Sequence, residues 1–356
     1  MTIAHARPVD LAAIRAQVDL ALEQFWQAKS GSDSELRLPE EVTATLHAFL
    51  FAGGKRIRPL LCVLGWLAAD GDPEVPSPVV RTAASLEMFH ASVLIHDDII
   101  DASETRRDHP TVHRALAVRH RERPDPDRFG SSAAIILGDL AMVWSAELLH
   151  TARLSAAQLT SALTVIDAMR ADVMYGQYLD LLTTAYPTSD LDRALEIIRF
   201  KTVSYTCERP LHLGAALADA RPDVRAALSA YARPLGEAFQ LRDDLLGVYG
   251  DPIETGKSNL EDLREGKHTA LVALALQHAS TAETTQLRTL LGNPELDADQ
   301  AATCREILTG TAEPRVEEMI RTRWQQAMLA LDHAPFPASV VEALRDVAAA
   351  AVARSR

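Results

Sequence analysis

The sequence of 356 residues contains few cysteines and few aromatic residues, and it has no long uninterrupted apolar run. Its three cysteines, Cys62, Cys207 and Cys304, are widely separated and form no CxxC pair, which argues against a disulfide framework or a cysteine zinc site. The N-terminus lacks the apolar core of a signal peptide, and no stretch of about 18 apolar residues occurs. We therefore expect a cytoplasmic protein without a transmembrane segment.

Positive charge is also scarce, because 49 acidic residues outnumber 36 lysines and arginines and give a formal net charge of −13. A chain this acidic is electrostatically unsuited to nucleic acid, so we expect no nucleic-acid partner. A small polyanion would bind only where metal ions or a local cluster of cations overcome the overall negative field.

Alternating β-branched runs, which are typical of half-buried strands, are almost absent, and apolar residues instead recur three and four positions apart, as over 191–205. No low-complexity tract or flexible linker divides the chain. We predict one all-α domain over residues 1–356, in which residues 1–38 form a peripheral N-terminal helix. The spacing predicts helices over 9–29, 39–51, 56–69, 77–101, 129–152, 155–183, 189–206, 222–248, 267–279, 297–309, 312–332 and 337–354.

A first acidic motif, Asp97-Asp98-Ile99-Ile100-Asp101, closes the predicted helix 77–101. Helical spacing turns the carboxylates of Asp97, Asp98 and Asp101 to roughly one side, where they repel one another and oppose the helix dipole. Mg²⁺ would neutralise them, because it prefers a few carboxylate oxygens together with substrate phosphates. A solvated acidic helix end is the alternative, but the preceding segment 89–96 is too apolar for a surface strip. We therefore expect the motif to lie at the opening of a buried site.

A second acidic pair, Asp243-Asp244, also ends a helical segment with an apolar approach, 235–241. Two acidic clusters at the ends of apolar helices suggest opposite walls of one cleft that holds metal.

Basic residues provide the complement to these acidic clusters. The stretch GGKRIRP at 53–59 places Lys55, Arg56 and Arg58 at a predicted helix start, where glycines allow a ligand to approach the backbone. Each basic element alone is consistent with an ordinary basic loop or a surface lysine. Together they match two diphosphates, one bound through metal and one through cations alone. The other cations of this set are Arg106, Arg107, Lys201, Lys257 and Lys267.

The ordered set of motifs resembles the trans-type isoprenyl diphosphate synthases, the group that contains farnesyl and geranylgeranyl diphosphate synthases. The motifs are GGKRIRP at 53–59, HDDIID at 96–101, RR at 106–107, KT at 201–202, FQLRDD at 239–244 and DLREGK at 262–267. The resemblance implies a large helical bundle around a central cavity, a homodimer, and Mg²⁺-dependent head-to-tail condensation of isopentenyl diphosphate with an allylic diphosphate.

The resemblance also implies roles for individual residues. Asp97, Asp98 and Asp101 would hold two Mg²⁺ ions, and Asp243 with Asp244 would hold a third. The expected ligands of the allylic diphosphate are Arg106, Lys201, Lys257 and Lys267. The expected ligands of isopentenyl diphosphate are Lys55, Arg58, His90 and Arg107. Thr202 and Gln240 are expected to stabilise the developing carbocation with neutral oxygens.

Two positions depart from the family pattern. Gly247 stands where many relatives have a third aspartate of the second motif, and the next acidic residue is Asp251. Asp108 stands where a glycine usually follows the arginine pair, and nothing in the sequence explains it.

Product length is expected to depend on the residues that precede Asp97 on its helix. Ser92 and Val93 are not the bulky aromatics that stop this family at fifteen carbons, so we expect geranylgeranyl diphosphate, with twenty carbons, as the main product. Phe89 and Met88 are candidates for a deeper floor of the pocket, although Phe89 could equally be a simple core residue.

Other functions are compatible with parts of the pattern. A farnesyl synthase or a synthase of chains of twenty-five carbons and more would share every motif. A class I terpene cyclase would share the first acidic motif, but aromatics are scarce here and a second basic diphosphate site is present. A noncatalytic partner subunit would be expected to have lost an acidic motif, and this chain retains both.

Overall fold

The computed structural model describes residues 8–36, 39–251 and 258–352. Within these ranges the chain is helical apart from one short antiparallel hairpin, β1 (Thr105–Arg106) with β2 (His109–Pro110). The helices of the first half are α1 (Leu11–Leu36), α2 (Glu40–Phe51), α3 (Ile57–Ala68), α4 (Ser77–Ile100), α5 (Val112–Arg119), α6 (Pro126–His150) and α7 (Ala156–Thr183). Those of the second half are α8 (Leu191–Ile197), α9 (Arg209–Leu217), α10 (Pro222–Tyr249), α11 (Glu261–Glu265), α12 (Ala270–His278), α13 (Thr281–Leu290), α14 (Ala298–Thr311), α15 (Glu313–Asp332) and α16 (Ala338–Val352).

The all-α prediction is confirmed, and each predicted helix has a counterpart. Local sequence accounts for several helix starts: Asp125 caps α6 directly before a proline, and Ser155 with Gln158 forms a capping box at α7. The sequence prediction missed α5, α9, α11 and α13. Helix α13 was missed because Leu287 is its one buried residue, although Ser280 and Glu283 form a capping box at its start.

A π-helical stretch, Ile198–Glu208, joins α8 to α9 and makes one continuous rod of the three segments. The wider turns change the hydrogen-bond register, and such stretches often occur at functional sites. The predicted helix 189–206 therefore continues to Leu217, past Pro210. Proline is tolerated there because it stands in the first turn of α9.

The core is built around α4, which packs against α1, α3, α5, α6 and α9. Helices α3 and α9 cross with their backbones in near contact, because a Cβ on Gly214 would lie 1.7 Å from the carbonyl oxygen of Cys62. A second apolar cluster lies among α10 and α12–α15. Helix α10 contributes side chains to both clusters, with Leu235 in the first and Leu241 in the second.

The N-terminal helix α1 is part of the core rather than a peripheral addition. Its residues Val18, Leu22, Phe25 and Trp26 are buried against the body of the protein. This packing brings Asp19 close to the start of α3, a contact that bears on the site described below.

Helix α6 is long and apolar enough to cross a membrane by length and composition alone. No uninterrupted run of about 18 apolar residues occurs in the sequence, and the apolar part of α6 is interrupted by charged residues. Forty-four per cent of its most apolar window is buried inside the protein, where it packs against α4 and α5. Core helices meet the same criterion, so this finding does not by itself indicate a membrane span.

Candidate active site

One large cavity, of about 1170 Å³, lies between α4, the π-helical stretch and α10. The loop before α3 lines one side of the cavity, and α11 with the residues that follow it lines another. Most of the residues singled out in the sequence line this cavity. They are Lys55, Arg58, His90, Val93, Asp97, Arg106, Arg107, Lys201, Thr202, Gln240, Asp243, Asp244 and Lys267.

The first acidic motif is held by an arginine from the hairpin. Asp98 is only 1% exposed, and its carboxylate accepts hydrogen bonds from Arg106 Nε at 2.7 Å and lies 2.6 Å from Arg106 Nη2. Burial alone would lower the pKa of Arg106, but the carboxylates of Asp98 and Asp97 raise it above its ordinary value. Arg106 therefore stays charged in a buried position beside the motif.

Lys201 lies between two carboxylates from different helices. Its Nζ is 3.2 Å from Asp97 Oδ1 and 2.6 Å from Asp180 Oδ2. Burial opposes the charge, yet Asp97 and Asp180 raise the pKa of Lys201 well above its usual value. Gly176 on α7 permits this arrangement, because a Cβ there would lie 2.3 Å from the Lys201 amide nitrogen. The sequence analysis missed Asp180, which falls four residues after that glycine.

Lys267 connects the two walls of the cavity. Its Nζ lies 3.1 Å from Asp101 on the first wall, 3.3 Å from Asp262 and 3.0 Å from Glu265. Burial raises the pKa of Glu265 to about 7. The sequence analysis missed Asp262 and Glu265 as site residues, although both belong to its DLREGK motif.

The second acidic motif is tied to the π-helical stretch by a chain of hydrogen bonds. Thr202 Oγ1 donates to Gln240 Oε1 at 2.7 Å, and Gln240 Nε2 donates to Asp244 Oδ1 at 2.8 Å. Burial raises the pKa of Asp244 to about 7, and the neighbouring carboxylates of Asp262 and Asp243 add to the rise. Both residues line the cavity, and after these bonds the Thr202 hydroxyl oxygen and the Gln240 amide oxygen each keep lone pairs that can accept or face positive charge.

A separate cationic cluster occupies the end of the cavity near α3. The Arg58 guanidinium lies 4.1 Å from the centre of the Tyr205 ring, and Arg58 Nη2 donates to Thr206 Oγ1 at 2.7 Å. His90 Nδ1 lies 2.5 Å from the Tyr205 hydroxyl. Burial, together with the charges of Arg58 and Arg107, holds the pKa of His90 well below its usual range, so its ring is neutral at pH 7.

The remaining cations of this cluster differ in burial. Lys55 is exposed at the rim, whereas Arg107 reaches back to donate to the Gly53 carbonyl oxygen. Arg56 also lines the cavity, but it is buried and bonded to Asp19 and Glu87 at 2.8 Å each. Its backbone is left-handed, with φ of 51°. Through Asp19 and Glu87 it ties the end of the glycine-rich loop to α1 and α4. Lys257, also expected to bind diphosphate, lies outside the described residues.

The residues expected to control chain length lie on two sides of α4. Val93 lines the cavity. Met88, Phe89 and Ser92 are fully buried, and Phe89 packs edge-on against Tyr205 with ring centres 6.0 Å apart. Phe89 is thus separated from the cavity by the ring of Tyr205, which lines it.

The carboxylates of the two motifs have the chemistry to bind a hard cation. Across residues 8–36, 39–251 and 258–352 there is no group of three histidine, cysteine, aspartate or glutamate side chains poised to hold an ion alone. The first motif is instead neutralised by Arg106, Lys201 and Lys267. Oxygens of Asp97, Asp98, Asp101, Asp243 and Asp244 suit Mg²⁺, which commonly takes its other ligands from substrate phosphates and water.

Comparisons with known proteins identify the family of the chain. Residues 39–308 match the polyprenyl synthetase family. A crystal structure of geranylgeranyl pyrophosphate synthase from Corynebacterium glutamicum, complexed with isoprenyl diphosphate and magnesium, is 39% identical with a TM-score of 0.92, covering 97% of this chain and 100% of that one.

Two curated relatives from archaea show a similar level of identity. A short chain isoprenyl diphosphate synthase of Methanocaldococcus jannaschii is 34% identical over 265 residues, which are 74% of this chain and 75% of the relative. A geranylfarnesyl diphosphate synthase of Aeropyrum pernix is 34% identical over 247 residues, which are 68% of this chain and 73% of the relative.

Proposed function

Because the chain belongs to the polyprenyl synthetase family and is a trans-prenyltransferase, we propose that it condenses isopentenyl diphosphate with allylic diphosphates and makes geranylgeranyl diphosphate as its main product. The observation that carries this proposal is the separation of charges in one cavity. Carboxylates with interleaved cations occupy the mouth, and a cluster of cations with a neutral histidine occupies the end near α3.

The allylic diphosphate is bound at the mouth, between the two acidic motifs. Three Mg²⁺ ions, held by Asp97, Asp98 and Asp101 on one wall and by Asp243 and Asp244 on the other, would withdraw electron density from the departing diphosphate. Arg106, Lys201 and Lys267 now neutralise the carboxylates, and they are positioned to contact phosphate oxygens once the substrate is bound. Charge that develops on the leaving group therefore meets preorganised cations.

The carbocation that remains needs stabilisation without a nucleophile that would trap it. Thr202 and Gln240 satisfy this need, because both line the cavity and the bonds that run from Thr202 to Gln240 and on to Asp244 leave lone pairs on their neutral oxygens. The double bond of isopentenyl diphosphate, held by Lys55, Arg58, His90 and Arg107, attacks the cation. A proton is then lost to the released diphosphate, so a protein base is not required.

Geranylgeranyl diphosphate as main product is supported by the residues near the first motif. Val93 is a small side chain at the cavity wall, and Ser92 beside it is smaller still. The next aromatic on α4 is Phe89, about two turns before Asp97, which leaves more depth than an aromatic at position 92 or 93 would allow.

We also propose that the protein is a homodimer that pairs through α6 and α7. Arg170 of α7 donates to Ser145 of α6 at 3.0 Å, so the two helices adjoin. Their outer faces carry large exposed apolar side chains, an unusual concentration for a monomer. These side chains are Ile135, Ile136, Val143, Met174, Tyr175, Tyr178, Leu181 and Leu182.

A product assay tests the proposed reaction. Purified protein receives isopentenyl diphosphate with allylic primers of five, ten or fifteen carbons, with Mg²⁺ or with EDTA, and products are measured by mass spectrometry. We expect elongation that requires Mg²⁺ and a main product of twenty carbons. A dominant fifteen-carbon product would contradict the chain-length proposal. Release of a hydrocarbon or alcohol from a prenyl diphosphate alone would indicate a cyclase, and inactivity with every primer would favour the partner-subunit interpretation.

A further inference from the structure

The second acidic motif has an unexpected neighbour at Gly247. This position follows Asp243 by four residues, so a side chain there would lie on the same helix face as Asp243 and Asp244. A Cβ added to Gly247 would lie 1.8 Å from Asp262 Oδ2. The carboxylate of Asp262, from α11, therefore fills the space that a third aspartate in α10 would need.

The position of Asp262 is defined by its surroundings. The next residue, Leu263, is buried in the second apolar cluster, and Gly266 ends α11 in the left-handed conformation with φ of 65°. This turn lets the Lys267 amide donate to the Asp262 carbonyl oxygen at 3.2 Å, and it brings Lys267 Nζ within 3.3 Å of Asp262 Oδ1. One carboxylate oxygen thus faces Lys267, and the other faces the second motif.

Asp262 faces the same space as that motif. It lines the same cavity as Asp243, Asp244 and Gly247. Asp251, the next acidic residue along α10 and its following loop, is exposed and is not among the cavity-lining residues.

We propose that Asp262 is the third carboxylate of the second acidic motif, supplied from α11 in place of a helix residue at position 247. This inference rests on the proposed function, because the cation expected at Asp243 and Asp244 belongs to that reaction. It also implies that the metal-binding carboxylate and the diphosphate-binding Lys267 lie on one short segment. The alternative is that Asp262 serves solely to position Lys267.

Binding of Mn²⁺ in the presence of inorganic pyrophosphate separates these roles. We would titrate the full-length protein with Mn²⁺, following free Mn²⁺ by electron paramagnetic resonance, and would measure pyrophosphate affinity separately by calorimetry. For Asp262→Ala we expect the loss of one Mn²⁺ site, or a weakening of that site by about tenfold or more. Asp251→Asn is the matched control and should bind Mn²⁺ like the wild type.

The decisive variant moves the carboxylate instead of removing it. In Gly247→Asp with Asp262→Ala, the added Cβ would lie 3.7 Å from the Cβ at position 262, which is ordinary contact. We expect this double variant to recover Mn²⁺ binding to within about threefold of the wild type, since ligand identity and count define such a site. A residue that serves solely to hold Lys267 would not be replaced in this way.

Two results would overturn the proposal. One is full Mn²⁺ binding by Asp262→Ala, and the other is a double variant as defective as the single one. Asp262→Asn, which keeps the shape of the side chain and removes its charge, replaces the single variant if Asp262→Ala does not fold. A wild-type protein that binds no Mn²⁺ with pyrophosphate would instead count against the proposed function itself, so the two failures are distinguishable.

Discussion

At the scale of single residues, the site combines carboxylates and cations that are far apart in sequence and close in space. Lys201 bridges Asp97 and Asp180, and Lys267 bridges Asp101 and Asp262. Each buried charge thereby has an opposite charge nearby, which offsets its loss of hydration. The same pairing keeps cations ready beside the position of the diphosphate, so one arrangement serves both stability and substrate binding.

The pair of Asp98 and Arg106 gives a stability prediction. Asp98→Asn keeps the shape of the side chain but leaves the buried Arg106 guanidinium without its closest anion. Asp97, at 3.5 Å, compensates in part. We expect the free energy of unfolding of the metal-free protein to fall by about 3 kcal/mol, measured by urea denaturation.

The control for this prediction is Glu122→Gln, which removes the largely exposed ion pair with Arg121. It should change the free energy of unfolding by no more than about 0.5 kcal/mol. Equal stability of the two variants would show that Asp98 is not needed to balance Arg106.

Phe89 gives a prediction for product length. Phe89→Ala removes the ring that packs against Tyr205 and opens space next to the cavity. We expect longer products in the mass-spectrometric assay, together with a loss of about 3–5 kcal/mol in stability. Phe25→Ala is the control, because it removes a buried ring at the contact of α1 with Trp144. Phe25→Ala should lower the free energy of unfolding by a similar amount without changing the products. Unchanged products from Phe89→Ala would show that Phe89 is a core residue alone.

At the scale of elements, close approach between helices positions the site. Gly176 lets α7 contact the π-helical stretch at Lys201, and Gly65 and Gly214 let α3 cross α9. The crossing holds the start of α3, where Arg58 lies, against the rod that carries Thr206 and Tyr205. A larger side chain at these contacts would separate the elements that build the cavity.

Gly214 gives the prediction at this scale. In Gly214→Ala the new methyl group would lie 1.7 Å from a backbone carbonyl oxygen, which no change of rotamer can relieve. We expect a loss of at least about 3 kcal/mol in the free energy of unfolding. Gly310→Ala, in α14, is the control because its Cβ would meet open space. It should raise stability by up to about 1 kcal/mol through helix propensity, and a similar result at position 214 would contradict the close crossing.

At the scale of the whole molecule, the exposed apolar surface of α6 and α7 lies on the outside of helices whose inner faces pack towards the core. A twofold dimer would bury this surface against its own copy. The apolar character of α6, which also satisfies the composition of a membrane span, is then explained by burial on both of its sides.

Ile136 gives the prediction at this scale. The residue is 63% exposed in the single chain, so Ile136→Glu should leave the fold intact and place a charge in the proposed interface. We expect the wild type to sediment as a dimer and this variant as a monomer. Leu329→Glu, at an exposed apolar residue of α15, is the control and should remain a dimer. A monomeric wild type, or a dimeric Ile136→Glu variant, would contradict the proposed interface.

The sequence alone determined the helical class and most helix positions, because apolar spacing and helix starts are local properties of the chain. It also determined the two acidic motifs and the cations that accompany them, since each lies within a short motif. The helices missed were short, and α9 in addition carries Pro210 in its first turn, directly after the π-helical stretch. There the hydrogen-bond register depends on packing against α7 and α10 rather than on local preference.

The tertiary structure decided which charged residues act together. Lys55 and Arg56 are adjacent and equally basic in sequence, yet one is exposed at the cavity rim and the other is buried with Asp19 and Glu87. Asp180 and Asp262 could not be assigned from the sequence, because their importance depends on distances to Lys201 and Gly247 on other elements. Local spacing specifies the face on which a side chain lies, and only the packing of helices distant in sequence specifies the partner that it meets.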